Sequence, residues 1–222
     1  MRLLSHPLTE TTPAYMDNPN PSIKSRKTVA ADRNRAYSIT FGNHTGTHLD
    51  APAHFFEDGR PLGGLDIGQL LFECPLLVDV GRGDGELIGA AELEPWADRI
   101  GDADLVLVRT GYGAACRTSD PDRYRHRGPG FSGPTAAWLR QKFPGLRALG
   151  MDIISATSPA HPDEGRSFHL GALDESSGPT LLLIEDVHLE PDLTNEDLGR
   201  VLVAPLLLSE LDGAPVTILA GL

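Results

Sequence analysis

The chain has 222 residues, enough to bury one sizeable core, and without a Ser/Gly linker, charge block or repeat it reads as a single domain over residues 1–222. Its 40% apolar content argues against disorder, and its formal net charge of −12 argues against nucleic acid or an anionic membrane as a partner, because phosphate binding needs basic surface. No apolar run is long enough to cross a bilayer, and His6 and Pro7 interrupt MRLLSHPLTE before a secretory segment could develop, so a cytoplasmic protein is expected.

The predicted elements follow in chain order. Tyr37–Phe41 and Phe72–Val80 read as strands, being β-branched or apolar and bounded by turn residues. AAELEPWADRI at 90–100 has a helical pattern. Leu105–Arg109 is a strand, and Gly111-Tyr112-Gly113 after it marks a turn. The basic stretch RYRHRG at 123–128 reads as a solvated loop. PTAAWLRQKF predicts a helix with Ser132 as N-cap and Pro134 in the first turn. Ala148–Ile153 is a strand, EGRSFHLGAL a helix and Thr180–Glu185 a strand. The C-terminal strands VLVAPLLLSE and APVTILAGL are joined at Asp212-Gly213, a hairpin signal. Strands outnumber helices, with some neighbours hairpin-linked and others separated by a helix. This predicts an α/β fold, a mixed sheet of antiparallel and parallel strands with a few flanking helices.

Cys74 and Cys116 lack metal or redox spacing and read as reduced and structural. There is no GxGxxG after a strand, no GxxxxGK and no GxSxG, so neither a nucleotide site nor a serine nucleophile is indicated.

The chemistry concentrates at residues 44–54, HTGTHLDAPAH, which hold three of the eight histidines and one aspartate. In a straight strand His44 and His48 would stand roughly 13 Å apart. Two imidazoles on one ion need nitrogens about 2 Å from it, so the chain must coil between them. Gly46 permits the unusual dihedrals, a helical turn would bring i and i+4 together, and Pro52 would stop a helix from continuing. Two histidines with a carboxylate are a ligand set of catalytic metals.

HTGTHLDAPAH resembles the H-x-G-T-H-x-D-x-P-x-H signature of the cyclase family of metal-dependent hydrolases, which includes bacterial kynurenine formamidases and isatin hydrolases. SHPLTETTPAY, HFFEDG, LVRTG, GMDIIS, EGRSFHLGAL and LLIEDV resemble further family segments in the right order. The resemblance implies a cyclase-family fold of swivelling β/β/α type that forms homodimers. It implies that His44, His48 and Asp50 bind a first metal and that Asp50 can bridge to a second. His169 and Glu185 would complete the second site, and His54 would donate and accept protons. His161 is the rival of His169. The cofactor implied is Zn2+ or Mn2+, one or two per chain. Tyr15 stands where kynurenine formamidases carry a tryptophan, and a substrate-stacking role is implied for it. Arg109, Thr110, Asp152 and Ser155 sit at strand ends and either line the pocket or hold turns; His6, His126 and His188 read as surface residues. The activity implied is hydrolysis of a C–N bond in a small amide or lactam, arylformamide or isatin-like. A metal-dependent cyclase, dehydratase or lyase, and a non-catalytic metal-binding module, are the alternatives.

Overall fold

The computed structural model describes residues 1–222. The strands are β1 (Arg2–Leu3), β2 (Ser22–Lys27), β3 (Ala36–Thr40), β4 (His48–Asp50), β5 (Leu71–Phe72), β6 (Pro75–Asp79), β7 (Leu87–Ile88), β8 (Leu105–Arg109), β9 (Gly130–Phe131), β10 (Ala148–Met151), β11 (Leu182–Glu185), β12 (Val201–Pro205) and β13 (Gly213–Ala220). The helices are α1 (Val29–Asp32), α2 (Ala90–Leu93), α3 (Ala97–Ile100), α4 (Tyr112–Cys116), α5 (Pro121–Arg127), α6 (Pro134–Lys142) and α7 (Pro162–Leu173).

Nine strands form one mixed sheet in the order β5-β12-β13-β4-β11-β10-β8-β6, with β1 also paired to β13. The half β11-β10-β8-β6 is parallel, and β4 joins it antiparallel to both β11 and β13. The parallel strands are apolar on both faces, as burial on both sides requires. Val106, Val108, Leu149 and Leu183 face one way, into a core closed by Leu93, Leu139, Phe168 and Leu173 of the helices. Leu105, Leu107, Leu182 and Ile184 face the other way, against Val201, Val203, Val216 and Ile218 of β12 and β13. The sheet therefore curls until its antiparallel part covers one face of its parallel part.

The predicted strand Phe72–Val80 is two strands. The Asp104 carboxylate accepts the Glu73 and Cys74 N–H groups at 2.9 and 3.0 Å, so the chain turns there, β5 pairing with β12 and β6 with β8. The helix over 90–100 breaks into α2, a 3-10 turn at Glu94–Trp96 and α3, because Pro95 supplies no N–H and cannot continue the ladder. Ser132 does not cap α6. Gly133 occupies that position, its N–H satisfied by Glu164 Oε2 at 2.7 Å, while the Ser132 hydroxyl bonds Thr135 Oγ1. The basic stretch is helix α5 rather than a loop: Asp120 caps it, Pro121 opens it and Tyr124 is buried. Cys116 is buried, whereas Cys74 is exposed. Strand β2 was not anticipated. It pairs with β3 as a two-stranded arm in which Tyr37 is 54% and Ile39 60% exposed. No helix is long and apolar enough to cross a membrane.

Candidate metal centre

The coil anticipated between His44 and His48 is not a helical turn. Gly46 takes φ +67°, and the chain reverses over 42–47 before His48 opens β4. The left-handed φ is what requires glycine there; a Cβ would also approach Leu8 Cδ2 to 2.7 Å, a contact the leucine side chain would have to yield. The two imidazoles then meet edge to face with centroids 5.2 Å apart. His48 and Asp50 project from the same face of β4, and the pairing of β4 with β11 sets Glu185 opposite His48. After Pro52 a single 3-10 turn delivers His54. Helix α7 turns its buried face, with Gly165, Phe168 and His169, toward the same point.

These residues form one cluster. Asp50 Oδ1 lies 2.8 Å from His44 Nδ1 and 3.5 Å from His48 Nε2. Glu185 places Oε2 3.3 Å from His48 Nε2 and Oε1 3.3 Å from His169 Nε2, and Asp50 Oδ2 is 3.7 Å from His169 Nε2. Second contacts fix the rings. His48 Nδ1 donates to Gly46 O at 2.8 Å and His169 Nδ1 to Gly165 O at 2.7 Å, which leaves each Nε2 directed at carboxylates. Glu185 Oε1 accepts from the Ala156 N–H at 2.7 Å and from the Ser155 hydroxyl at 3.2 Å.

Asp50, His48, His169 and Glu185 are all buried, and Asp50 Oδ2 is a buried oxygen without a hydrogen-bond partner. None of the eleven residues lining the pocket is Lys or Arg. Two buried carboxylates facing imidazole lone pairs require positive charge from protons or from a cation. Burial opposes charging His48, but its hydrogen bond to Glu185 and the charges of Asp50 and Glu185 outweigh it and carry the ring up to about 9. Burial likewise opposes charge on His169, and Glu185 and Asp50 raise it. Burial alone would raise Glu185; contacts with His169 and His48 hold it well below the usual carboxylate range instead. Asp50 Oδ2 and the two lone pairs have the chemistry of divalent-cation donors, and the residues fit such an ion. The trios His44, His48, Asp50 and Asp50, His169, Glu185 each bring their ligand atoms within 4.8 Å of one another and share Asp50.

A third trio, His44, His54 and Asp212, was not anticipated. Asp212 precedes β13 at the end of a seven-residue loop from Leu206, so the Asp212-Gly213 pair is not a two-residue hairpin turn. Its Oδ2 lies 2.7 Å from His54 Nδ1 and 2.9 Å from His44 Nε2, and its Oδ1 accepts from Asn43 Nδ2 at 2.6 Å. Partial burial raises Asp212, but the hydrogen bonds from His44 and His54 dominate and bring it to about 2. Gly213 makes the approach feasible, since a Cβ there would meet His44 Cε1 at 2.7 Å. The His54 ring lies on that of His44, centroids 4.0 Å apart.

The pocket over the cluster encloses about 260 Å³ and is walled by Tyr15, Phe55 and Ile154, with Asn18, Ser155 and Thr157. Burial, with Glu185 nearby, pushes the Tyr15 hydroxyl up to about 12. Phe55 stacks on His169 at 4.8 Å. His161, the rival of His169, is exposed at the start of α7 and outside the pocket. Ser155 lines the pocket; Asp152 instead accepts from the Thr110 and Gly111 N–H groups, and Arg109 pairs with Asp79. His6 and His188 are half-buried rather than free surface groups, their tilted rings 4.3 Å apart between centroids.

The model of the Cyclase family ("Putative cyclase") matches residues 3–157. The kynurenine formamidase of Bacillus anthracis is 32% identical over 179 residues, 80% of this chain and 76% of that protein. Isatin hydrolase A from Labrenzia aggregata superposes with a TM-score of 0.79 at 17% identity, covering 98% of this chain and 91% of that one. Isatin hydrolase A from Ralstonia solanacearum gives 0.78 at 18% identity, covering 98% and 89%. These two superpositions show a common fold. With the family match over most of its length and the formamidase identity over four-fifths of it, the chain belongs to the cyclase family.

Proposed function

We propose that the protein is a metal-dependent hydrolase that cleaves the C–N bond of a small amide or lactam, arylformamide or isatin-like, with water as the nucleophile. The observation that carries this is the unpartnered, buried Asp50 Oδ2 amid the His48, His169 and Glu185 ligand atoms, beneath an aromatic-walled pocket lined by no Lys or Arg. A divalent cation bound there supplies Lewis acidity, lowering the pKa of water and polarising a carbonyl. His44, His48, Asp50, His169 and Glu185 would hold it. Two trios sharing Asp50 support up to two ions, Zn2+ or Mn2+, per chain.

The remaining work falls to the chain. Asp212, ionised throughout the working range, accepts the Nδ1 proton of His54 and leaves Nε2 to face the pocket. His54 Nε2 takes a proton from the attacking water and passes it to the departing nitrogen. Tyr15 stacks on a flat ring, and Phe55 and Ile154 exclude water. The formamidase relative supports an aryl amide as substrate. Hydrolysis of a formanilide and lactam panel in ¹⁸O-water tests the reaction. One label in the product carboxylate supports it; an unlabelled, ring-closed or eliminated product favours a cyclase or lyase.

We further read residues 1–222 as one domain that works as a homodimer in the cytoplasm. A two-stranded ribbon is marginal alone in water, yet β2 and β3 stand exposed with Tyr37 and Ile39 outward. Residues 22–40 carry five basic residues against one acidic in a chain of net charge −12, which suits the acidic body of a second copy. Light scattering at twice 23.8 kDa is expected, and a stable monomer at micromolar concentration refutes the dimer. Two unpaired cysteines suit a reducing compartment.

A further inference from the structure

We infer that Arg117 and Asp186 form a clamp that positions Glu185, so that Arg117 is a positioning residue for a metal ligand it does not touch. The inference rests on the ligand role proposed above for Glu185.

Asp186 follows Glu185 directly and takes φ +54°, a left-handed conformation held without a glycine. Every polar atom it carries is engaged. Arg117 donates from Nε to Oδ1 and from Nη2 to Oδ2, both at 2.7 Å, and the Tyr124 hydroxyl donates to Oδ1 at 2.6 Å. The Asp186 N–H donates to Ile153 O at 2.8 Å, and its carbonyl accepts from Thr47 Oγ1 at 2.6 Å. The side chains of Arg117 and Asp186 are only 11% and 1% exposed.

A buried ion pair is a weak source of stability, because desolvation offsets its attraction; apolar packing would serve as well. What this pair fixes is direction. β11 keeps regular register with β10 through Ile184, and then the left-handed turn sends the chain across the end of β10, with Val187 N–H bonding Met151 O at 2.8 Å. Glu185 is the last residue before that turn, and the turn sets where its carboxylate points. Thr47 extends the grip, since it holds the Asp186 carbonyl and immediately precedes His48. Arg117 and Tyr124 come from the α4–α5 region, which contributes nothing to the pocket wall. Arg117 and Tyr124 thus reach Glu185 through Asp186, its neighbour in sequence.

The test is a Zn2+ titration of chelator-treated protein against a competing chromophoric chelator. Loss of a supporting group behind a ligand typically weakens metal affinity about 10- to 100-fold. Arg117→Met is expected to show that loss with unchanged far-UV circular dichroism, and Arg117→Lys a smaller one. Arg117→Met combined with Glu185→Gln should lose little more than Glu185→Gln alone, because both act through one carboxylate. Should Arg117→Met not fold, Tyr124→Phe removes one hydrogen bond from the same carboxylate, and a several-fold loss is expected. Unchanged zinc affinity in a folded variant, or additive losses in the double variant, overturns the clamp. A wild-type protein that binds no Zn2+ overturns the ligand reading beneath it.

Discussion

His54 Nδ1 lies 2.7 Å from Asp212 Oδ2, a contact spanning 158 positions of sequence. A carboxylate held at about 2 stays ionised and keeps the proton on Nδ1, so Nε2 is free to act as a base. His54→Asn should retain metal while kcat falls by about 10²–10⁴-fold, the usual contribution of a positioned general base. Asp212→Asn should lower kcat more than it raises KM. Elemental analysis beside steady-state kinetics checks both. If His54→Asn arrives without metal, His44, His54 and Asp212 hold the ion and another group is the base.

Gly46→Ala places a Cβ 2.7 Å from Leu8 Cδ2 in a left-handed residue. The conformation alone costs roughly 1–2 kcal/mol. Urea denaturation should show at least that loss, and metal content should fall because the turn sets the spacing of His44 and His48. Unchanged stability would mean that the 42–47 turn relaxes without disturbing the site.

His6 links stability to pH. Burial pushes it down to about 4, against an unfolded value of 6.5, while Asp186 works the other way and Arg117 and His188 reinforce the shift. Between these values the unfolded chain binds a proton that the folded chain refuses, so stability is lost as pH falls from 6.5 toward 4 and is unaffected above 6.5. Partial solvent exposure holds the loss below an upper limit of about 3 kcal/mol. Thermal midpoints at pH 7 and 4.5 should converge in His6→Gln relative to wild type; an equal drop in both proteins would assign the acid sensitivity elsewhere.

The clustering of His44, His48 and Asp50 was legible because they lie within seven residues and the Gly46 turn between them is local. His169 and Glu185 were reachable only through family resemblance, since a histidine on a helix and a glutamate ending an apolar strand have ordinary explanations. Asp212 was missed because aspartate before glycine signals a turn, and its partners His44 and His54 are brought to it by the pairing of β13 with β4. The glycine itself was the available hint: its bare backbone admits the His44 ring. The parallel strands read correctly because both faces are apolar. β2 did not, since SIKSRK buries no side chain fully and shows no apolar face. Helix α5 hides behind its charges, because only Tyr124 of its seven residues is buried.

If Asp50 and its neighbours hold a catalytic cation, elemental analysis of purified wild type and His48→Ala, paired with activity on a formanilide, should find one to two equivalents of Zn or Mn per wild-type chain. Metal and activity should be lost together in His48→Ala, and added Zn2+ or Mn2+ should restore activity to chelated wild type. Fully active wild-type protein with no bound metal would contradict a catalytic cation there.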